Sequence, residues 1–246
     1  MFLIARSLAE STGNKIRLVM NTTQVITTVA GTGTAGLDSS TSSLTATSAK
    51  LNNPCSVWVD SSRNIFIADT KNNLIPKVTF TSGNITTMVG GGTVSSYANN
   101  TLATVIILNL PNAVFGDSMG YLYVADTNHY RNIKITPLLK VFYLIGTGSA
   151  GYNQNHNLSG TSTAIQNILS LFVTIIGDVI FSDMGNYLVR KYVAATSRVI
   201  TIVGYHTSSS YNGDNIAATS AYLSSKIVGV FVIHISSNDD MWIADA

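Results

Sequence analysis

The sequence predicts an all-β repeat protein built from four-stranded antiparallel units. Three observations predict it: two short phrases recur together at one period, the text between them breaks into strand-length pieces separated by turn residues, and no segment carries sustained helical periodicity with caps. The first phrase is an apolar or Thr-rich strand that ends in glycine: Ile26 to Gly31, Ile85 to Gly90, Phe142 to Gly146 and Ile200 to Gly204. Its glycines follow one another at 59, 56 and 58 residues (31 to 90, 90 to 146, 146 to 204). The second phrase is a strand closed by aspartate: Ile65 to Asp69, Leu122 to Asp126, Val179 to Asp183 and Met241 to Asp245. Its aspartates lie 57, 57 and 62 residues apart (69 to 126, 126 to 183, 183 to 245). Two independent phrases that keep one beat over four copies mark a repeat architecture.

Within one period the elements read in order as Ser56 to Asp60, Ile65 to Ala68, Leu74 to Phe80 and Ile85 to Val89, each rich in apolar or β-branched residues. Between them stand Asp60-Ser61-Ser62-Arg63-Asn64, Lys71-Asn72-Asn73 and Thr81-Ser82-Gly83-Asn84, residues that tolerate turn conformations or bond their own backbone. The next copy repeats the plan with Asn112 to Asp117, Tyr121 to Ala125, Ile133 to Ile135 and Val141 to Ile145. A four-stranded unit is too small to bury both faces alone, but such units stack face to face, which is the logic of a β-propeller blade. The expectation is a single domain over residues 1–246 with blade units at about 48–92, 104–148, 165–206, and 221–246 together with 13–33. The last is a composite blade, because residues 13–31 read as the final two strands of a unit and Lys226 to Ala246 as the first two. Three whole blades and one composite fit either a four-bladed ring or a segment of a six-bladed propeller, and an open segment would offer edge strands for self-association.

These residues resemble the NHL-repeat β-propellers, whose repeat runs as a strand, an aspartate turn, a strand reading Ile-Ala-Asp-Thr, an Asn-rich turn and a basic-apolar strand. Asn64-Ile65-Phe66-Ile67-Ala68-Asp69-Thr70-Lys71-Asn72-Asn73-Leu74-Ile75-Pro76-Lys77-Val78 carries the likeness, and Tyr121 to Asn128 repeats it. The linking loops are similar to those of long-period members, Ala46 to Pro54 being echoed by Ala218 to Leu223. Pro76 departs from the pattern, standing where the family has a basic residue; lacking a ladder donor, it predicts an irregular strand.

Composition narrows the function. With 46% hydrophobic and 11% charged residues the chain has the makings of a packed core, and a net charge of +2 lacks the basic footprint that nucleic acid demands. Cys55, the single cysteine, allows neither an internal disulfide nor a cysteine-based zinc site. The longest apolar stretch, Ile168 to Ile176, falls far short of the roughly 20 residues of a membrane-spanning helix, and the start of the chain lacks the apolar region of a signal peptide. Sequons at Asn21, Asn84, Asn99 and Asn157 suit an extracellular protein, yet Ser, Thr and Asn are so frequent that chance matches are expected, and the compartment stays open.

Each chemical motif has a structural reading beside its functional one. Gly31-Thr32-Gly33-Thr34-Ala35-Gly36 and Gly146-Thr147-Gly148-Ser149-Ala150-Gly151 fit the glycine pattern of dinucleotide sites, but no helix follows to receive a phosphate, so they read as repeat loops. Asp69, Asp126, Asp183 and Asp245 read as turn residues accepting backbone hydrogen bonds rather than as a cation ring, and Asp239-Asp240 as a solvated turn. His129, His156, His206 and His234 have no short ligand spacing; His129 and His206 are expected as exposed loop histidines. Cys55 is expected as a small core residue. No catalytic residue, cofactor or metal ligand is assigned. The preferred function is a non-catalytic scaffold whose loops bind a protein or glycan, with Tyr97, Tyr152, Tyr205 and Tyr211 as contact residues because tyrosine offers large amphipathic contact area. The alternative, implied by the resemblance, is a metal-dependent lyase or lactone hydrolase acting at the axial channel.

Overall fold

The computed structural model describes residues 8–20, 23–38, 44–153, 157–206 and 215–223, and the backbone of 6–7, 232–235 and 241–243. The strands group in chain order. β1 (Arg6–Glu10), β2 (Lys15–Val19) and β3 (Ile26–Ala30) form one sheet. A second holds β4 (Leu44–Thr45), β5 (Pro54–Val59), β6 (Ile65–Asp69), β7 (Leu74–Val78) and β8 (Asn84–Gly90) in the order β4-β8-β7-β6-β5. β9 (Thr101–Leu102), β10 (Pro111–Gly116), β11 (Leu122–Asp126), β12 (Arg131–Ile135) and β13 (Lys140–Ile145) repeat that order, as do β14 (Leu158–Ser159), β15 (Leu171–Val173), β16 (Val179–Asp183), β17 (Leu188–Val193) and β18 (Arg198–Val203). β19 (Val232–Ile235) and β20 (Met241–Ile243) pair with each other. The chain divides into two compact units, Met1–Val124 with Ile135–Phe142, and Ala125–Lys134 with Tyr143–Ala246.

The three whole four-strand meanders are present, each with one addition, while β1-β2-β3 and β19-β20 stand as separate sheets among the described residues. A two-residue strand from the preceding loop pairs antiparallel with the outermost strand, Leu44 opposite Ile85 and Leu158 opposite Val199. It shields the row of backbone groups that an outer edge would otherwise present. A second difference lies at the start: the sequence reading gives residues 13–31 two strands, whereas β1 adds a third beside β2, Glu10 facing Lys15. Glu10 thereby stands at the strand end that Asp69 occupies in the following copy.

The second strand of each meander is buried along its whole length. Every residue of β6, β11 and β16 is buried, because such a strand has packing on both faces. In the first unit Ile65 and Ile67 pack with Ile16, Ala30 and Leu51; in the second Ile180 packs with Val189 and Leu223.

Pro76 sits at a register shift between Ile75 and Pro76, as an irregular strand requires. The cause is not the proline. The same shift occurs between Ile16 and Arg17 and between Val189 and Arg190, so the bulge belongs to the repeat, and proline is tolerated there because the ladder is already interrupted.

Local geometry also accounts for the first phrase. A single 3-10 turn follows Asp69, Asp126 and Asp183, and it ends on a left-handed residue, Asn73 (φ 58), Tyr130 (φ 52) or Tyr187 (φ 59); Asn14 (φ 49) takes the same conformation after β1. The carbonyl of that residue lies against the phrase-ending glycine. A Cβ at Gly31, Gly90, Gly146 or Gly204 would overlap the oxygen of Asn14, Asn73, Tyr130 or Tyr187, and all four glycines have φ between +88 and +102. Their N–H groups donate to the carbonyls of Ala46, Ala103, Gly160 and Ala218 at 2.9–3.0 Å, which anchors each crossing loop.

Candidate functional site

The aspartates of the second phrase end the buried strands, where their carboxylates lie out of water and must be satisfied by the chain. Asp69 Oδ1 accepts the N–H of Asn52 at 2.7 Å, and its Oδ2 accepts Asn72 Nδ2 at 2.7 Å; the same amide group donates to Gly36 O. Asp183 repeats the arrangement with the Gln166 N–H at 2.7 Å and Asn186 Nδ2 at 2.9 Å, Asn186 in turn donating to Gly151 O. Arg190, 1% exposed, adds Nη1 to Asp183 Oδ2 at 3.2 Å and to Ala164 O at 3.1 Å. Asp126 holds His129 Nδ1 at 2.8 Å. Asp69 and Asp183 are therefore loop staples that accept backbone N–H groups, as the turn reading predicts; Asp245 lies outside the described residues. The third glycine of each Gly-x-Gly-x-x-Gly loop, Gly36 and Gly151, gives its carbonyl to the same staple, so the loop is taken up by the copy that follows it.

Burial and partners set the charges. Desolvation pushes the Asp69 carboxyl up to about 6, opposed by its bonds from Asn52 and Asn72. Burial also pushes Asp183 up, against the pull of the Arg190 guanidinium. The hydrogen bond to Asp126 raises His129 above its ordinary value. His129 and His206 are half-buried and engaged rather than freely exposed; His156 and the side chain of His234 lie outside the described residues, as does Asp239-Asp240. Cys55 is half-buried rather than core, its Sγ 3.4 Å from Asn53 O. Among the described residues, no three His, Cys, Asp or Glu side chains gather at one point, and no helix is long and apolar enough to cross a membrane.

The predicted contact tyrosines separate. Tyr97 is buried, 8% exposed, and covers the core of the first unit. Tyr211 lies outside the described residues. Tyr152 and Tyr205 both belong to the second unit, where Tyr152 stacks on His206 with ring centroids 3.5 Å apart, and Tyr205, 50% exposed, lies 6.0 Å from the Tyr222 ring. His206 Nδ1 is 3.3 Å from Asn186 O, which ties the Tyr152–His206 pair to the Asp183 staple. Sequence reasoning did not name His206 or Tyr222 as ring partners of these tyrosines. Tyr222 had a signal, since it replaces Lys50 in the otherwise similar loop Ala-Thr-Ser-Ala-x-Leu.

No family model matches the chain, and no curated protein matches it. Solved structures do. An auxiliary nutrient binding protein of Bacteroides thetaiotaomicron aligns over 90% of this chain and 50% of its own, at 13% identity and a TM-score of 0.62. A structural genomics protein of unknown function from the same organism aligns over 91% and 60%, at 14% identity and a TM-score of 0.56. A chain of a nidogen/laminin complex aligns over 78% and 59%, at 11% identity and a TM-score of 0.52. This chain thus spans about half to three fifths of these three structures. At such identities the likeness speaks for the fold alone, and that fold is an all-β propeller of antiparallel blades.

Proposed function

We propose that the chain is a non-catalytic binding scaffold of the NHL-repeat type that takes a protein or glycan partner on the loops of its second unit. One observation carries the reading: two ring pairs of the second unit, Tyr152 on His206 and Tyr205 beside Tyr222, stand on adjoining residues 205 and 206, and His206 is held to Asn186 of the Asp183 staple. Rigid aromatic side chains on a fixed scaffold provide contact area at low entropic cost, which is what a binding surface requires. The buried carboxylates contribute stapling and leave no acid or base assigned to chemistry. Two solved neighbours support the binding reading through their names, an auxiliary nutrient binding protein and a nidogen/laminin complex. The NHL assignment rests on the recurring Ala-Asp-Thr and Asn-rich turn, with blade units at about 48–92, 104–148, 165–206, and 221–246 together with 13–33.

A glycan array and a displayed peptide library, both screened against the intact chain, test the proposal. An enriched ligand is expected to bind about tenfold or more weakly to Tyr205→Ala and His206→Ala. Undiminished binding by both variants overturns the assignment to this face, and conversion of a bound ligand into product overturns the non-catalytic reading.

A further inference from the structure

The first unit contains a cleft of about 480 Å³ that is independent of the tyrosine group, and its volume lies within the roughly 300–1,000 Å³ of small-ligand sites. It opens where the turns after β5 and β10 approach each other. Trp58 and Phe66 furnish its aromatic wall, their rings 5.3 Å apart, and Lys77, Asp60 and Asp117 furnish its charges.

The cleft depends on a departure from the repeat. The residue before the turn aspartate is Val59 after β5's tryptophan, and the corresponding residue of the next copy is Gly116. The indole of Trp58 lies where a Cβ on Gly116 would stand, so any larger residue would push it away. Gly116 has no positive φ that calls for glycine; room for the indole is the physical reason for it.

We propose that this cleft binds a neutral pyranose ring. The charges exclude the other classes. A cation would meet the Lys77 ammonium, which lies 5.6 Å over the Phe66 ring and has no ion-pair partner among the described residues. An anion would meet two carboxylates, and a purely apolar guest would strip water from three charged groups without replacing its hydrogen bonds. A sugar ring suits all of them: its C–H face lies on the indole, and its hydroxyls donate to carboxylates and accept from the ammonium. The carboxylates are held ready for this. Asp60 accepts the Asn64 N–H and Nδ2, each at 2.8 Å, and Asp117 accepts the N–H groups of Met119 and Tyr121 on Oδ1 and the Tyr123 hydroxyl on Oδ2. A carboxylate offers about four acceptor positions, so each keeps capacity for a ligand hydroxyl.

The test titrates the intact chain with the methyl glycosides of glucose, galactose, mannose and N-acetylglucosamine, followed by saturation-transfer NMR and calorimetry. At least one is expected to bind saturably with a dissociation constant of about 1 mM, the modest affinity of a single ring. Trp58→Leu and Lys77→Gln should each weaken it about tenfold; Lys77→Gln, being half-buried, serves where the tryptophan variant fails to fold. Absence of saturable binding to all of the glycosides overturns the proposal. So does binding that survives Lys77→Gln and Gly116→Val, or that is lost in Tyr205→Ala instead, an outcome that would place the sugar on the tyrosine group.

Discussion

Asp69 and Asp183 occupy the same place in two copies of the repeat and solve the same problem differently. Both end a fully buried strand, accept a backbone N–H from the residue 17 positions earlier, and take the amide of the asparagine three positions later. Seven residues beyond each aspartate the copies diverge: Arg190 gives Asp183 a buried guanidinium, whereas Pro76 gives Asp69 nothing. The Asp126 copy takes a third course, with His129 in the asparagine's place. Between Asp69 and Asp183 the hydrogen-bond geometry is thus the shared part of the staple, and the charge is the part that differs.

The largest expected effect tests the buried ion pair. Asp183→Ala leaves Arg190 uncompensated and should cost about 3–5 kcal/mol in urea unfolding, while Asp69→Ala strands only neutral donors and should cost about 1–3 kcal/mol. Equal losses would break the comparison; partial recovery in Asp183→Ala/Arg190→Met would sharpen it, since the double variant removes the stranded charge.

Next comes the pH dependence of the lone carboxyl. The Asp69 carboxyl sits at about 6 when folded against 3.8 when free, so the folded state holds the proton more tightly. Its contribution is favourable below about pH 4 and is lost as pH rises through about 6, a change of about 3 kcal/mol at full burial. Unfolding midpoints measured from pH 4 to 7 should show this decline, and Asp69→Asn should flatten it. A decline that persists unchanged in that variant would assign it to another group.

Pro76→Arg then asks whether the third copy's solution can be transplanted. An arginine at 76 replaces a residue at an existing bulge and should draw the Asp69 carboxyl down toward the ordinary carboxylate range, read by carboxyl-carbon NMR titration. No movement would mean that the guanidinium cannot reach the carboxylate as Arg190 reaches Asp183.

The smallest effect belongs to His129. Because Asp126 raises its pKa when folded, its contribution is complete below about 6.5 and fades as pH rises through the higher folded value. His129→Asn, which restores the asparagine of the other copies, should remove that fading while keeping the fold. An unchanged pH profile above neutrality would detach the histidine from the staple.

Much of this was legible in the sequence, because period, strand pieces, phrase-ending glycines and turn aspartates are local patterns. What escaped depended on weak or distant signals. Arg6 to Glu10 lacks both the apolar run and the aspartate of its counterparts, so β1 is marked only by its pairing with β2. Pro76 signalled an irregularity correctly, but only the shifts at Arg17 and Arg190 reveal that the repeat itself supplies it. Loop position alone does not tell which tyrosine faces outward: Tyr205 is exposed, yet Tyr97, in an equally polar loop, turns inward. The cleft at Trp58 could not be read at all, since it depends on a glycine 58 residues away (58 to 116).

The hydroxyl that follows the strand-ending residue reaches forward out of its own copy: Ser11 donates to Pro54 O at 2.9 Å, Thr70 to Pro111 O at 2.8 Å and Thr127 to Ile168 O at 2.7 Å. Asn14 and Asn73 do likewise, accepting the N–H groups of Asn53 and Leu110. Excising a copy at the period therefore leaves a donor facing a new acceptor of the same kind, a carbonyl that needs no particular side chain. Such a chain can lengthen or shorten by whole copies through genetic recombination without redesigning the joint, while a cut at any other phase leaves the joint unmade.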